Sequence, residues 1–456
     1  MSFAGPSSTV SAPSLSLRAE LRTLTGLAWP VVLGQLAGMS MQIVDTAMVG
    51  RVSADAMASV ALGSYWVFGV IIFAFGLARV LDPIVSQAHG AGDHAAVGRA
   101  LGHGVALALL LSIPAGALFC LAEPGLRALG QPASLLPTAG AYARILALAA
   151  PGMLLFSTIR GVLQGQGIMR PATFAIVVAN LVNFVVDYAF VLGRLGAPAW
   201  GAVGAACATV VSTWVQVALL VWLMRDHLRG LWPGWRVALD PRPVLALARR
   251  GVPQGFQMAS EVWSFLVAGF VVGSFGAAAV AGHAIVMQFA SLSFMFPMGV
   301  STAAATRVGN LIGAGQPWGR VAVVAHGLGI VLMGTSALVF LGFGAPLAAV
   351  FTPDAAAVAM AVSLFPLAAA FQLFDGTQVV AFGVLRGAGD LNVPSAANVL
   401  GFWCLGLPVG AWLALSQGFG TRGMWMGLVI GLAAVAAILL VRERWTWRRG
   451  GFRVGG

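Results

Sequence analysis

Residues 421–441 read TRGMWMGLVIGLAAVAAILLV, and one arginine is the only charged residue in this run. A membrane-spanning helix needs about 20 mostly apolar residues, so the run predicts a transmembrane helix. The composition of the whole chain agrees, since 59% of its 456 residues are hydrophobic and 9% are charged. Soluble domains carry about 25% charged residues. Much of this protein's surface must therefore face lipid.

Twelve apolar runs of this kind lie between breaks that are rich in glycine, proline or charge. They predict an all-α polytopic membrane protein with twelve transmembrane helices. The first run is too long for a signal-peptide core, so we expect no cleaved signal. The predicted spans are 24–50, 60–87, 101–121, 137–160, 171–193, 201–224, 251–273, 280–303, 321–343, 357–384, 393–415 and 421–441.

The arginines predict an orientation. The net charge is +11 and the chain contains no lysine. If both termini and the loop after the sixth span are cytoplasmic, 18 arginines lie on that side, four lie outside and three near or within spans stay unassigned. Cytoplasmic loops are enriched in positive residues, so this orientation is expected. Because the arginines lie at span ends, they favour a membrane and not a nucleic-acid partner.

Several classes of chemistry have no support in the sequence. Cys120, Cys207 and Cys404 are isolated, without metal-ligand spacing or a disulfide framework. The glycine-rich turns lack the lysine of a phosphate-binding loop, and no nucleophile–base pair is evident. We therefore expect neither an enzyme nor an ATP-driven pump, and no cofactor.

The two halves of the chain resemble each other at an offset of 223 residues. Pro30 corresponds to Pro253, and Gly-Ala-Gly at 90–92 to Gly-Ala-Gly at 313–315. Repeats of this kind are typical of transporters that expose a site between two lobes alternately to each side. We predict two pseudo-symmetric six-helix lobes related by an axis along the membrane normal. The predicted parts are a cytoplasmic N-terminal tail (1–23), an N-lobe (24–224), a cytoplasmic linker (225–250), a C-lobe (251–441) and a basic cytoplasmic tail (442–456).

Four of the 14 acidic residues fall well inside predicted spans. A charged side chain at that depth costs about 2.5–3.5 kcal/mol on insertion scales, so it is expected to face a cavity or a partner. Such a carboxylate can bind a proton or replace the hydration shell of a small cation. The structural alternative is that each acid caps a backbone break or pairs with an arginine. Glu261 and Asp375 form the candidate C-lobe site.

The other two acids form the candidate N-lobe site. Asn183 and Asp187 are four residues apart and share a helix face. Asp45 on the first span and the Thr209 hydroxyl on the sixth complete the predicted cation site. Asp82 lies near the end of a span, and we assign it a structural role.

A third candidate is a substrate cavity. Phe294, Met295 and Met298 lie on the eighth predicted span. Methionine and aromatic side chains adapt to ligands of varied shape, so these residues are candidates for its lining. Apolar residues of a membrane helix also pack against neighbours or face lipid, and that alternative stays open.

Motifs along residues 20–445 resemble the multidrug and toxic compound extrusion (MATE) family, most closely its bacterial NorM-type branch. They are VDTAMVG at 44–50, SEV at 260–262, FMFPM at 294–298 and FDGTQVV at 374–380. The resemblance implies two six-helix lobes around a V-shaped cavity. It also implies efflux of cationic or lipophilic small-molecule drugs in exchange for Na⁺ or H⁺ across a bacterial inner membrane. We expect a multi-pass monomer in the lipid bilayer.

The resemblance also implies residue roles. Glu261 and Asp375 match the C-lobe cation-binding acids of the NorM-type branch. The four N-lobe residues named above match a site best described in the DinF-type branch, although the position of Thr209 depends on a variable loop. Pro30 matches a proline linked to a proton-dependent bend. Asp187 stands where some NorM-type members carry asparagine.

Three questions stay open at this point. The sequence does not decide between Na⁺ and H⁺, nor which lobe carries the coupling site. A lipid-linked precursor flippase of the same superfamily is the alternative function. Such flippases tend to have more spans and a cationic cavity, whereas this chain predicts twelve spans and cavity acids.

Overall fold

The computed structural model describes residues 16–452, and this part of the chain is helical, without a strand. The N-terminal Ser- and Pro-rich segment, most of the predicted N-terminal tail and Arg453 lie outside the described residues. The helices of the first half are α1 Leu17–Gly50, α2 Ala54–Ala78, α3 Leu81–Gly90, α4 His94–Cys120, α5 Ala122–Ala128, α6 Leu136–Leu146, α7 Ala150–Gly165, α8 Arg170–Phe190, α9 Ala202–Leu223, α10 Arg225–Leu231 and α11 Trp235–Ala238.

The second half contains longer helices and two π-helical segments. The π-helical segments, Gly401–Gly406 and Trp412–Ser416, interrupt the eleventh predicted span. The helices are α12 Pro241–Gly273, α13 Ala277–Gly313, α14 Gly319–Phe351, α15 Ala355–Gly387, α16 Asn392–Leu400, α17 Leu407–Ala411 and α18 Gly420–Arg448.

Within residues 16–452, eleven helical segments are long and apolar enough to cross a membrane, or twelve if α6 and α7 count as one bent span. The prediction of a twelve-span all-α protein is therefore confirmed. The α6–α7 pair bends by 49° within the predicted span 137–160. A proline in the first turn of α7 explains the break, because proline can begin a helix but cannot continue one without losing a hydrogen bond.

Several helices extend beyond their predicted spans. Helix α12 begins at Pro241 rather than at 251, and α13 continues to Gly313 rather than to 303. Hydropathy detects only the part of a helix that lies in hydrocarbon, and a helix can continue past it. The predicted linker 225–250 consequently contains two short helices and the start of α12.

The described residues form two compact units. The predicted lobe limits stay a prediction, since the units follow packing and not sequence order. Among the described residues, unit one comprises Leu33–Leu81 and Asp93–Gly255, and unit two comprises 16–32, Asp82–Gly92 and 256–452.

Two equivalent helices are divided between the units. Helix α1 passes from unit two to unit one after Val32, and α12 passes from unit one to unit two after Gly255. The two positions are 223 residues apart, and each lies two residues beyond a proline inside its helix, Pro30 or Pro253. Proline removes one backbone hydrogen bond, so each helix is locally weakened next to the point where it changes unit.

Each unit has its own apolar core. In unit one, Phe119 and Leu154 are almost fully buried among helices of the first half. In unit two, Phe365, Phe402 and Trp425 are equally buried. Aromatic rings in unit two meet edge to face, as in the pair of Phe265 with Phe402. Such pairs stabilise a core beyond the area they bury.

Within unit two, α3 and α13 meet in a reciprocal contact. A Cβ atom at Gly90 would overlap the carbonyl of Asn310, and one at Gly313 would overlap the carbonyl of Gln87. Residues 87 and 310 are 223 apart, as are 90 and 313. If each residue is replaced by its counterpart in the other half, the same pair of contacts results. Contacts of this reciprocal kind occur at an interface on a twofold axis. Glycine is required at both positions for this approach.

Candidate functional site

The four predicted N-lobe residues come from three helices of unit one. Asp45 lies on α1, Asn183 and Asp187 on α8, and Thr209 on α9. Asp187 is 0% exposed and Asn183 1% exposed, and Asp45 is also buried. Because α8 is helical throughout this region, the four-residue spacing places Asn183 and Asp187 on one face.

The structure brings these side chains together. The Thr209 hydroxyl lies 3.4 Å from Asp45 Oδ2. Asp187 and Asn183 also neighbour the Asp45 carboxylate closely enough to interact with it. The N-lobe cluster, as we call these four residues, is thus a single polar group inside an apolar unit.

Many polar atoms of the N-lobe cluster lack a partner among the described residues. Asp45 Oδ1, both carboxylate oxygens of Asp187 and both amide atoms of Asn183 are buried without a hydrogen bond to protein. Buried polar groups are normally hydrogen-bonded, and exceptions deserve an explanation. Carboxylate and amide oxygens are ligands that suit hard cations such as Na⁺. The donor set therefore fits either a proton or a small cation.

The charge balance of the N-lobe cluster favours the same ligands. Between residues 16 and 452, neither Asp45 nor Asp187 forms an ion pair with an arginine or a histidine. Two adjacent carboxylates repel when both are ionised in a poorly solvated site. A proton or a cation between them would relieve this repulsion.

Tyr142 is a neighbour of the N-lobe cluster that sequence reasoning missed. It is buried on α6, accepts a hydrogen bond from Ser64 Oγ at 3.2 Å and interacts with Thr209. Tyrosine is scarce here, with three residues in the chain. A rare phenol inside a predicted apolar span is the signal that could have identified it.

The C-lobe acids also lie near each other. Asp375 on α15 is buried, Glu261 on α12 is partly exposed, and their charges are close enough to interact. Gln257 Nε2 donates to Glu261 Oε2 at 2.6 Å, and Asn398 Nδ2 donates to the same oxygen at 3.3 Å. The Glu261 carboxylate is thus held by amides, in contrast to Asp187.

Sequence reasoning missed both amides of this C-lobe site. Gln257 lies one turn before Glu261, and its position could have been recognised from that spacing. Asn398 is 137 residues further along the chain and reaches Glu261 only through tertiary packing. The buried side-chain amide of Gln372 also donates a hydrogen bond to the Ser293 hydroxyl. Ser293 directly precedes Phe294, the first of the predicted cavity residues.

The remaining candidates belong to unit two. Pro30 lies inside α1, which stays helical around it. Phe294, Met295 and Met298 lie on α13 in unit two and are half-buried. Their roles as a conformational proline and as a cavity lining stay predictions.

A duplicated bundle of membrane helices that carries buried acids in both halves defines a secondary transporter rather than an enzyme. The MatE family model matches the chain twice, at residues 30–189 and 253–412. The two matches are 223 residues apart, which confirms the internal repeat. The chain belongs to the multidrug and toxic compound extrusion family.

Individual relatives agree over nearly the full length. The chain is 35% identical to "Probable multidrug resistance protein NorM" of Burkholderia mallei, covering 98% of this chain and 96% of that protein. It is 34% identical to "Multidrug resistance protein PmpM" of Pseudomonas aeruginosa, covering 95% and 93%. The crystal structure of the eukaryotic MATE transporter AtDTX14 matches with a TM-score of 0.86 at 23% identity, covering 95% and 98%, and this likeness supports the fold.

Proposed function

We propose that this protein exports cationic or amphiphilic small molecules across a bacterial inner membrane, by antiport with Na⁺ or H⁺. The observation that carries the proposal is the N-lobe cluster, whose buried carboxylates lack a counter-charge and a full set of hydrogen bonds within residues 16–452. Relatives named as multidrug resistance proteins support the substrate class. The acids also argue against the alternative of a lipid-linked precursor flippase, because they would repel an anionic pyrophosphate.

The proposed coupling follows from electrostatics. Entry of a proton or Na⁺ between Asp45 and Asp187 removes the repulsion of the two carboxylates and favours the conformation that buries them. Release of that ion on the other side of the membrane restores the negative charge of the two carboxylates, which are then more stable in contact with solvent. A ligand shifts a conformational equilibrium by its difference in affinity for the two states. A gradient of the ion can therefore drive a cycle of alternating access.

The C-lobe pair is a second candidate for coupling. Glu261 and Asp375 are neighbouring acids, and the two amides on Glu261 would fix a carboxylate in place for a cation. Each lobe therefore carries its own candidate site, and neutralising variants separate the two.

Separate ion gradients test the proposal. The purified protein in proteoliposomes is expected to move a fluorescent lipophilic cation against its gradient when an inward-directed gradient of the coupling ion is imposed. Na⁺ and H⁺ gradients are imposed one at a time, with an ionophore that collapses each as the control. Transport driven by neither gradient, from protein that is folded and oriented, would contradict the proposal.

The proposed orientation predicts a labelling pattern. In a cysteine-free background, Arg236→Cys is expected to resist a membrane-impermeant thiol reagent applied to whole cells, because the linker would be cytoplasmic. Ser274→Cys, between α12 and α13, is expected to react. Both positions are exposed, so accessibility of the side chain is matched. Labelling at Arg236→Cys alone would reverse the orientation.

A further inference from the structure

The connection between α9 and α12 carries charge that the transport proposal does not use. We call residues 225–250 the basic linker. It contains six arginines and two aspartates, and most of the arginine side chains are exposed. His227 does not add to this charge, because burial lowers the pKa of its imidazole. The positive surface therefore consists of guanidinium groups.

The basic linker is a fixed element of unit one. His227 Nε2 is 3.0 Å from Gln166 Oε1. Ala238 is buried and lies with Pro233 against Gly102 of α4, where a larger residue would collide with both. The inner face of the linker is thus packed, and the orientation of its outer face is determined.

The outer face of the basic linker is apolar as well as basic. Trp235, Leu239 and Leu245 are 61%, 60% and 62% exposed. On α12, Arg242 and Arg249 lie three residues before and four residues after Leu245, so the three side chains share one helix face. Large apolar side chains held outward beside arginines need a partner that is both apolar and anionic.

Chain connectivity limits what that partner can be. The basic linker begins two residues after Leu223, where the membrane helix α9 ends, and its last ten residues, 241–250, form the start of the membrane helix α12. Both of its ends are therefore tied to the membrane surface. At that depth tryptophan and leucine can enter the acyl boundary while arginine reaches phosphate.

We propose that the outer face of the basic linker binds the headgroups of anionic phospholipids in the adjacent leaflet. Guanidinium groups match phosphate in geometry and charge. The exposed Trp235, Leu239 and Leu245 insert between the acyl chains of the same lipids. The partner is lipid rather than free phosphate, because the apolar side chains have no role with a soluble anion.

Native mass spectrometry of the full-length protein tests this site, with phosphatidylglycerol added to a zwitterionic lipid background. The variant carries Arg236→Gln, Arg242→Gln and Arg249→Gln. It is expected to bind phosphatidylglycerol ~10-fold more weakly than the wild type, since each arginine near an anionic surface contributes substantially to binding. Inorganic phosphate added at the same concentration is expected not to compete.

The matched control removes three arginines from the C-terminal end of α18, with Arg444→Gln, Arg448→Gln and Arg449→Gln. These side chains are also exposed. Both variants lose three positive charges, so the change in net charge is equal. The control is expected to retain phosphatidylglycerol. Equal loss in both variants would reduce the effect to net charge and overturn the proposal, as would full competition by phosphate.

A second measurement uses protein that keeps all of its linker arginines, so its result does not depend on whether the triple variant folds. A fluorophore at Leu239→Cys, in a cysteine-free background, is reconstituted with lipids that carry a quencher at the headgroup. Quenching is expected to be several-fold stronger by labelled phosphatidylglycerol than by labelled phosphatidylcholine at equal content. Equal quenching by the two lipids, or none, would overturn the proposal; none would indicate that the linker faces water or a protein partner.

Discussion

Replacing Asp187 by asparagine is expected to abolish ion-driven efflux while leaving the protein folded and inserted. Asparagine has nearly the same shape but cannot release a proton or neutralise a cation, so the exchange that couples the gradient is lost. Removing a buried charge does not disfavour membrane insertion. The measurement is the rate at which cells or proteoliposomes extrude a fluorescent lipophilic cation, normalised to protein amount. The rate should fall to that of vesicles without transporter.

The control for this prediction is the same chemical change at a solvated position. Asp55 lies in the first turn of α2 and is exposed, so Asp55→Asn should retain the wild-type rate. Glu261→Gln and Asp375→Asn test the C-lobe in parallel. Suppose that a well-expressed Asp187→Asn variant keeps wild-type efflux and the C-lobe variants lose it. That result would show that the C-lobe acids couple transport to the ion gradient and that Asp187 has a structural role.

A binding readout separates a lost ion site from a damaged fold. If Na⁺ binds the N-lobe cluster, it should raise the unfolding temperature of the solubilised protein more than K⁺ does at equal ionic strength. A ligand at 100 times its Kd stabilises the folded state by ~2.7 kcal/mol. Asp187→Asn should reduce this Na⁺ effect, and Glu261→Gln should leave it mostly intact. Equal responses to Na⁺ and K⁺ would favour a proton site.

The membrane architecture could be predicted from sequence because lipid imposes one strong rule. Every backbone polar group in hydrocarbon must be satisfied, so each apolar run of sufficient length becomes a helix. The same rule says little about where a helix bends or how far it continues into water. The break between α6 and α7 depends on local proline chemistry, and the early start of α12 includes Val244 and Leu247, which are buried by tertiary packing.

The candidate sites could be predicted in part for a related reason. Asp187 and Asn183 were connected by helical periodicity, and an acid in an apolar span is itself an unusual signal. Tyr142 lies on a different helix from the residues of the N-lobe cluster, and Asn398 lies on a different helix from Glu261. Only the tertiary fold brings each of them close to its site. A polar residue near a site is recognisable from sequence when it shares a helix with a site residue, and otherwise it needs a structure.

One ion pair of unit two could not be predicted from the sequence for the same reason. The predicted orientation places Arg307 among the cytoplasmic arginines, and the sequence indicates no partner for it. Its guanidinium instead forms two bonds with the Glu20 carboxylate, 3.1 Å from Nε to Oε2 and 2.8 Å from Nη2 to Oε1. Glu20 is 1% exposed, and 287 residues separate the two. This pair fixes the start of α1 against α13 within unit two.

Replacing Arg307 by alanine is therefore expected to destabilise the protein by ~3 kcal/mol, because it leaves the Glu20 carboxylate buried without its counter-charge. The measurement is thermal or denaturant unfolding of the solubilised protein. Arg127→Ala is the matched control, since Arg127 also pairs with a glutamate, Glu123, at 3.1 Å but its side chain is 68% exposed. Exposed pairs contribute about 0–1 kcal/mol, so the control should unfold almost as the wild type does.

A double variant shows whether the loss comes from a buried unpaired charge. Removing one partner of a buried pair is strongly destabilising, whereas replacing both by apolar residues of similar volume is often neutral. Glu20→Met with Arg307→Met should therefore recover most of the stability that Arg307→Ala loses. If the double variant is as unstable as the single one, the bidentate geometry itself holds α1 in place. If Arg307→Ala unfolds like the wild type, Glu20 is satisfied by other means and the pair does not anchor the helix.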